Sequence, residues 1–304
     1  MKFDAVLIAG PTASGKSAAA LMLAEELGGV IVNADSMQVY RELRILTARP
    51  SDPDMARVPH ALYGHVSVNE RYSAGRYQRE AAQAFADARK TGRIPIFTGG
   101  TGLYFGALTE GLAEIPPIPS HIREAAREKL TRDGVETFRA ALAMRDAKSA
   151  AQILPTDTQR LLRAYEVFEA TGRTLSDWQK ESATPVLDGM NLARFVLDPP
   201  RALLHERIAL RFGKMMEEGA LDEAQSVRGL NPSLPAAKIL GLRELWALAD
   251  GAMTREQASD RIVIATRQYA KRQLTWFRNR MADWHWIAET DLRNIIAEIN
   301  AHTQ

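Results

Sequence analysis

Eight residues near the N-terminus, Gly10-Pro11-Thr12-Ala13-Ser14-Gly15-Lys16-Ser17, constrain this chain most, because they match the pattern G-x-x-x-x-G-K-S/T. The apolar run Phe3–Ala9 before them reads as a buried parallel strand. The alanine- and leucine-rich stretch Ser17–Leu27 after them reads as a helix that Gly28-Gly29 ends. Between a strand and a helix, the glycines let the backbone curl so that its N–H groups converge on an anion. The positive end of the helix adds to them. Lys16 supplies a full positive charge to phosphate oxygens, and Ser17 offers a hydroxyl to a Mg²⁺ bridging those oxygens. The pattern does not say whose phosphates are held. In a hydrolase or kinase they belong to ATP or GTP.

Further strand–helix alternation follows. Val30-Ile31-Val32 reads as a second strand, Ser73–Arg89 as a helix and Arg93–Thr98 as a third strand running into Gly99-Gly100-Thr101-Gly102. The expected fold is α/β, a P-loop NTPase-like parallel sheet flanked by helices. The pattern breaks at the proline-rich Glu114–Pro119, and from Ser120 to about Ser182 the periodicity is only helical. Ala193–Leu197 returns to strand, Arg201–Arg280 is mostly helical, Trp284–Ile287 reads as a last short strand, and a helix follows near 291–301. The expected organisation is a core of residues 1–114 and 189–304, with a helical C-terminal part, interrupted by an all-helical insertion domain at 115–188.

Composition narrows the function classes. With 304 residues, 46% hydrophobic and 25% charged, the chain can bury a core without crosslinks. It holds no cysteine, which excludes disulfides, thiol nucleophiles and cysteine metal sites. It shows no signal-peptide pattern and no apolar run near the ~20 residues that span a bilayer. The expectation is a cytoplasmic protein without a membrane partner, and a monomer, since no heptad pattern occurs. Net charge is only +2, but Arg261–Arg280 holds six basic residues and no acid. Such a block is a solvated helix face or an anion-binding one. His60 and His65 lack metal partners at useful spacing and read as structural or surface residues.

Two details bear on the chemistry. A nucleotide-driven motor expects a Walker-B strand ending in Asp, yet Ile94-Pro95-Ile96-Phe97 ends in Thr98-Gly99-Gly100-Thr101. Asp35 instead follows the second strand, at the carboxyl edge of the sheet where ligands bind. A carboxylate there holds Mg²⁺, removes a proton, or caps a helix N-terminus, and its position alone leaves these open.

The run Asn33-Ala34-Asp35-Ser36-Met37-Gln38-Val39-Tyr40-Arg41, taken with the phosphate loop, resembles the tRNA dimethylallyltransferase (tRNA isopentenyltransferase) family. Three further stretches resemble its signatures in order: Gly99–Tyr104, Asp157–Val167 and Thr266–Arg278. The resemblance covers nearly the whole chain. It implies transfer of a dimethylallyl group from dimethylallyl diphosphate to N6 of adenosine 37, beside the anticodon of tRNAs reading U-starting codons. The runner-up is a P-loop small-molecule kinase, which also combines a phosphate loop with a carboxylate after the second strand.

On the family reading the loop cradles a leaving group, with Mg²⁺ on Ser17. Asp35 is the expected base for the adenine amine, and Thr101 a hydrogen-bond partner of that base or of the diphosphate. Of Arg207 and Arg211, one turn apart on the Leu204–Met216 helix, Arg211 is the expected diphosphate clamp against the alternative of a surface arginine. The target adenine must leave its stack, so Asp35, Ser36, Met37 and Gln38 are expected at the base and its neighbours. Arg123 and the run Gln159-Arg160-Leu161-Leu162-Arg163 are the insertion's expected RNA contacts. On a helical wheel Arg267, Lys271 and Arg278 form one basic ridge, an expected phosphate track. Trp276 and Phe277 read as core rather than stacking platforms.

Overall fold

The computed structural model describes residues 3–181 and 184–303, so residues 182 and 183 of the expected insertion and the extreme ends lie outside the described residues. Six strands form one parallel sheet in the order β3-β2-β4-β1-β5-β6: β1 (Ala5–Ala9), β2 (Val30–Asn33), β3 (His60–Ala61), β4 (Pro95–Gly99), β5 (Leu192–Leu197) and β6 (His285–Ile287). The central strands are buried on both faces, which is why they read as unbroken apolar runs rather than alternating ones. Val6 and Ile8 pack with Ala20, Leu23, Ile295 and Ile299, from helices α1 (Lys16–Leu27) and α13 (Leu292–Thr303). The two-residue strand β3 and the helix α2 (Asp52–Arg57) were not expected from the sequence. His60 sits in β3, its Nδ1 2.8 Å from the Val58 carbonyl, and His65 pairs with Glu80 at 2.8 Å, both structural uses.

Register aligns the strand ends that carry function. Ala9 lies opposite Gly99, and Asn33 opposite Thr98. The phosphate loop after β1, Asp35 after β2 and Thr101 after β4 therefore emerge level with one another along the carboxyl edge. Helix α3 (Ala74–Lys90) precedes β4 and α4 (Gly102–Thr109) follows it; later in the chain come two long helices, α9 (Arg201–Glu217) and α12 (Arg255–Arg280), with α10 (Ala220–Ser226) and α11 (Leu242–Ala249) between them.

The chain divides into two compact units, Met1–Thr109 with Val186–Gln304, and Glu110–Pro185. The proline-rich run lies inside the second unit. That unit contains α5 (Ser120–Ala143), α6 (Ala147–Gln152), α7 (Thr158–Thr171) and α8 (Leu175–Trp178). Its own core gathers Ala126, Phe138, Leu142, Ala150, Leu161 and Ala164. Gly134, at φ 77°, breaks α5 into two segments. Among the described residues, no helix is long and apolar enough to cross a membrane.

Candidate active site

The phosphate loop is curled by two left-handed residues, Ala13 at φ 65° and Gly15 at φ 96°. Gly15 adopts this conformation freely, whereas Ala13 carries a cost of about 1–2 kcal/mol. No side chain caps the N-terminus of α1, so its first amides remain available to an anion. The Lys16 ammonium donates to the Pro11 carbonyl at 3.2 Å. Burial pushes its pKa from 10.5 down to about 8, the Asp35 charge opposes that shift, and Arg211 adds to it. Ser14 Oγ is buried with no hydrogen-bond partner among the described residues, and a Cβ on Gly10 would stand 2.7 Å from it. The next atoms, Leu197 Cβ and its carbonyl oxygen, would stand at 3.3 Å, so a side chain at Gly10 would crowd both.

Two arginines of α9 reach this loop. Arg211 Nη2 donates to Thr12 Oγ1 at 2.6 Å. Burial lowers its pKa, and the Asp35 charge partly restores it. Arg207 Nη1 lies 3.8 Å from where a Gly15 Cβ would stand, while its Nη2 donates to the Thr290 carbonyl at 3.3 Å. Ser17 is exposed on the first turn of α1. Mg²⁺ keeps most of its waters and takes few protein oxygens beside substrate phosphates, so a hydroxyl here with phosphate oxygens suits it.

Asp35 is held by its neighbours. The Asn33 side chain accepts from the Asp35 amide at 2.8 Å and donates to the Asp35 and Leu62 carbonyls at 2.9 and 3.0 Å. Asp35 Oδ1 accepts from the Met37 amide at 2.9 Å. Thr101 Oγ1 accepts from the Ser36 amide at 2.9 Å and donates to Ser36 Oγ at 3.1 Å, joining the β2 and β4 strand ends. Gln38 differs from its expected use: its amide nitrogen donates to the Thr47 and Ala48 carbonyls at 3.0 and 2.8 Å, which leaves only Oε1 for a base edge.

Gln273 and Tyr269 of α12 were missed. Gln273 is buried, accepts from the Thr12 amide at 2.9 Å and donates to the Gly100 carbonyl at 2.8 Å. It therefore ties the phosphate loop to the glycine turn after β4. Its signal in the sequence is a polar residue in the buried stripe Ile262, Thr266, Ala270, Phe277. Tyr269 lines the same pocket as Asp35, and burial together with the Asp35 charge raises its hydroxyl pKa, so it stays protonated. Close approach also explains the glycines. A Cβ on Gly99 would stand 2.1 Å from the Ala34 backbone, one on Gly100 2.1 Å from Gln273 Nε2, and one on Gly102 2.1 Å from the Trp276 ring.

A pocket opens beside these groups. Its polar lining residues are Thr12, Asp35, Thr47, Arg211, Thr266 and Tyr269, and its apolar ones are Met37, Leu46, Ile208, Phe212, Met215, Ile239, Leu240 and Ile262. It offers a guanidinium, a carboxylate and hydroxyls beside a larger hydrocarbon surface.

The expected RNA-facing residues fall into two groups. In the helical unit Arg123 and Arg163 lie close enough that Arg123 depresses the Arg163 pKa, which burial lowers first and Glu166 opposes. Gln159 and Arg160 are exposed, and Arg160 pairs with Asp157 at 3.2 Å. Leu161 corrects the expectation: it is fully buried in the unit's core, so its side chain cannot meet RNA, while Leu162 packs against that core. On α12 the ridge is uneven. Lys271 is exposed, Arg278 is exposed but paired with Asp198 at 3.1 Å, and Arg267 is half-buried with Nε lacking a partner among the described residues. Phe277 is core, as expected. Trp276 instead is half-buried against Gly102 and lines an open groove with Gln268, Lys271, Arg272, Thr275 and Asn279.

Comparison with known proteins gives the family and the fold. The family model described as IPP transferase matches residues 38–280, and one described as isopentenyl transferase matches residues 3–64. The tRNA dimethylallyltransferase of Bradyrhizobium sp. (strain ORS 278) is 51% identical over 294 residues, 96% of each chain. That of Agrobacterium fabrum is 48% identical over 92% of this chain and 95% of its own. Among solved structures, the tRNA isopentenylpyrophosphate transferase of Bacillus halodurans superposes with a TM-score of 0.68 at 33% identity, covering 98% of this chain and 95% of that one. A eukaryotic dimethylallyltransferase acting on tRNA gives a TM-score of 0.80 at 26% identity, covering 98% of this chain and 77% of that one. A family model spanning most of the sequence, with relatives about half identical over nearly their whole length, shows that the chain belongs to the tRNA dimethylallyltransferase, or IPP transferase, family.

Proposed function

We propose that this chain transfers a dimethylallyl group from dimethylallyl diphosphate to N6 of adenosine 37, beside the anticodon of tRNAs that read U-starting codons, and releases diphosphate. One observation carries the donor assignment: Arg211, bonded to Thr12 of the phosphate loop, and Asp35 line the same pocket as a set of hydrocarbon side chains. A small polar phosphoryl acceptor calls for a mostly polar lining, and most of this pocket's lining residues are hydrocarbon.

In the reaction the bond between the allylic carbon and the diphosphate oxygen breaks, and its electron pair leaves with the diphosphate. Lys16, Arg211 and the loop amides neutralise that charge as it develops. Adenine N6 forms the new bond to carbon. Its lone pair is delocalised into the ring, so it is a poor nucleophile until its proton is lost, and Asp35 takes that proton. Thr101 ties the end of β4 to Ser36 beside the base, and Tyr269 shares the pocket lining with it. Mg²⁺ held by Ser17 with diphosphate oxygens would add leaving-group stabilisation. Apolar walls around the allylic carbon keep water from intercepting it.

The tRNA contacts belong to this proposal: Ser36, Met37 and Gln38 at the flipped base, Arg123, Gln159, Arg160 and Arg163 on the helical unit, and Lys271 and Arg278 on α12. So do action as a monomer and a cytoplasmic location. Equilibrium binding tests the donor assignment. Labelled dimethylallyl diphosphate is expected to bind, to be displaced by inorganic diphosphate, and to resist an equal concentration of ATP. Displacement by ATP with phosphoryl transfer to a small acceptor contradicts it.

A further inference from the structure

Three consecutive backbone amides of the segment after Arg41 point at one side chain. The Arg44 and Ile45 amides donate to Glu223 Oε1 at 2.6 and 2.7 Å, and the Leu46 amide donates to Oε2 at 2.7 Å. Converging amides of this kind form an anion site, here filled by a carboxylate of α10, 177 residues away from Leu46 in sequence. The segment closes on itself as a turn, with the Ala48 amide donating to the Ile45 carbonyl at 2.9 Å and the Arg49 amide to the Arg44 carbonyl at 3.0 Å. Its far end is also held, because the Thr47 and Ala48 carbonyls accept the Gln38 amide. The turn is therefore gripped at its amide end by Glu223 and at its carbonyl end by the turn that carries Asp35. Between the grips, Leu46 and Thr47 line the pocket that Arg211, Phe212 and Met215 line from α9.

We propose that Glu223 is a positioning residue for the prenyl donor: by clamping the 44–46 amides it sets the wall at Leu46 and Thr47, and thereby the length of hydrocarbon the pocket accepts. This rests on the reading of that pocket as the donor-tail site. Glu223 is not among the residues lining the pocket, so it acts through the turn. An amide in its place cannot serve both oxygens' partners. Glu223→Gln keeps one acceptor oxygen and turns an NH₂ toward amides that also donate, which frees one side of the turn. The diphosphate end, built from Lys16, Thr12 and Arg211, does not depend on the clamp.

The test compares wild-type and Glu223→Gln enzyme with dimethylallyl (C5) and geranyl (C10) diphosphate, using unmodified tRNA as acceptor. Loss of a hydrogen bond to a charged group predicts a KM for dimethylallyl diphosphate raised about tenfold, with kcat changed less. Preference for C5 over C10, expected at about 100-fold or more in wild type, is expected to fall at least about tenfold. Inhibition by inorganic diphosphate is expected to be unchanged, a result that general loss of folded enzyme or a distorted phosphate loop would not give. Leu46→Ala changes the same wall while leaving its own amide on the clamp, and is expected to relax chain-length preference likewise. It carries the test if Glu223→Gln does not fold. The proposal is overturned if Glu223→Gln leaves KM and preference as in wild type, if it lowers kcat alone, or if Leu46→Ala leaves preference unchanged. Wild-type enzyme that transfers no prenyl group at all overturns the donor reading instead.

Discussion

Lys16 and Asp35 bring opposite charges close together at the carboxyl edge of the sheet, and each leads to a prediction. The pKa of Lys16 is pushed from 10.5 to about 8, because its ammonium gives up more hydration than Asp35 returns in attraction. The protonated form binds diphosphate, so donor affinity is full below pH 8 and falls as pH rises through it. Measured at constant ionic strength, KM for the donor is expected to climb above pH 8, and Lys16→Arg is expected to remove that limb. The stability of the unliganded protein moves the other way. Between pH 8 and 10.5 the unfolded chain holds the Lys16 proton more tightly than the folded one, so this group adds stability as pH rises. Asp35→Ala removes the proposed base, and with it a charge that favours the protonated forms of Lys16 and Arg211. Its kcat is expected to drop about 10²–10⁴-fold while tRNA affinity stays within about twofold. A gel-shift titration beside single-turnover kinetics checks both, and a variant that still transfers at near wild-type rate contradicts the assignment.

Between elements, the site depends on α12 crossing the carboxyl edge of the sheet. Gln273 is the strut, and Gln273→Ala leaves the Thr12 amide and the Gly100 carbonyl without their partner. Urea denaturation is expected to show a loss of about 1–3 kcal/mol. The glycine turn distinguishes soft from hard contacts. Gly100→Ala meets the movable end of Gln273, whereas Gly99→Ala meets the Ala34 backbone, which cannot retreat without breaking the sheet. Gly99→Ala is therefore expected to cost about 3 kcal/mol and to exceed the Gly100→Ala loss, and comparable losses would contradict this packing account. The same crossing explains what the sequence could and could not reveal. The core strands are apolar runs of ordinary length, and the phosphate loop, Asp35, Thr101 and Arg211 each follow or face a strand end that those runs announce. β3 is only two residues and carries no periodicity. Gln273 meets Thr12 across 261 residues, a contact that no local pattern encodes. Leu161 departs from its neighbours Arg160 and Arg163 in the same run, because successive residues of a helix face different ways. Its helical spacing to Ala164 and Tyr165 puts it on the buried face of α7.

Across the whole molecule, a net charge of +2 conceals a local imbalance that a nucleic acid would meet. Lys271 and Arg272 stand beside Trp276 on the solvent side of α12, and Arg123 lies near Arg163 in the helical unit. If these groups hold tRNA phosphates, binding weakens as salt rises. Lys271→Glu is expected to reduce the magnitude of the log–log salt slope by about 0.7–0.9, with donor KM unchanged, and an unaltered slope removes Lys271 from the phosphate track. What unites donor pocket, base and RNA-facing charge is a single transfer, and it is open to direct observation. Radiolabelled dimethylallyl diphosphate incubated with unmodified tRNA, Mg²⁺ and the protein is predicted to leave label on N6 of one adenosine next to the anticodon, with release of one diphosphate per label. No label in tRNA, together with ATP-dependent labelling of a small metabolite, would contradict the account.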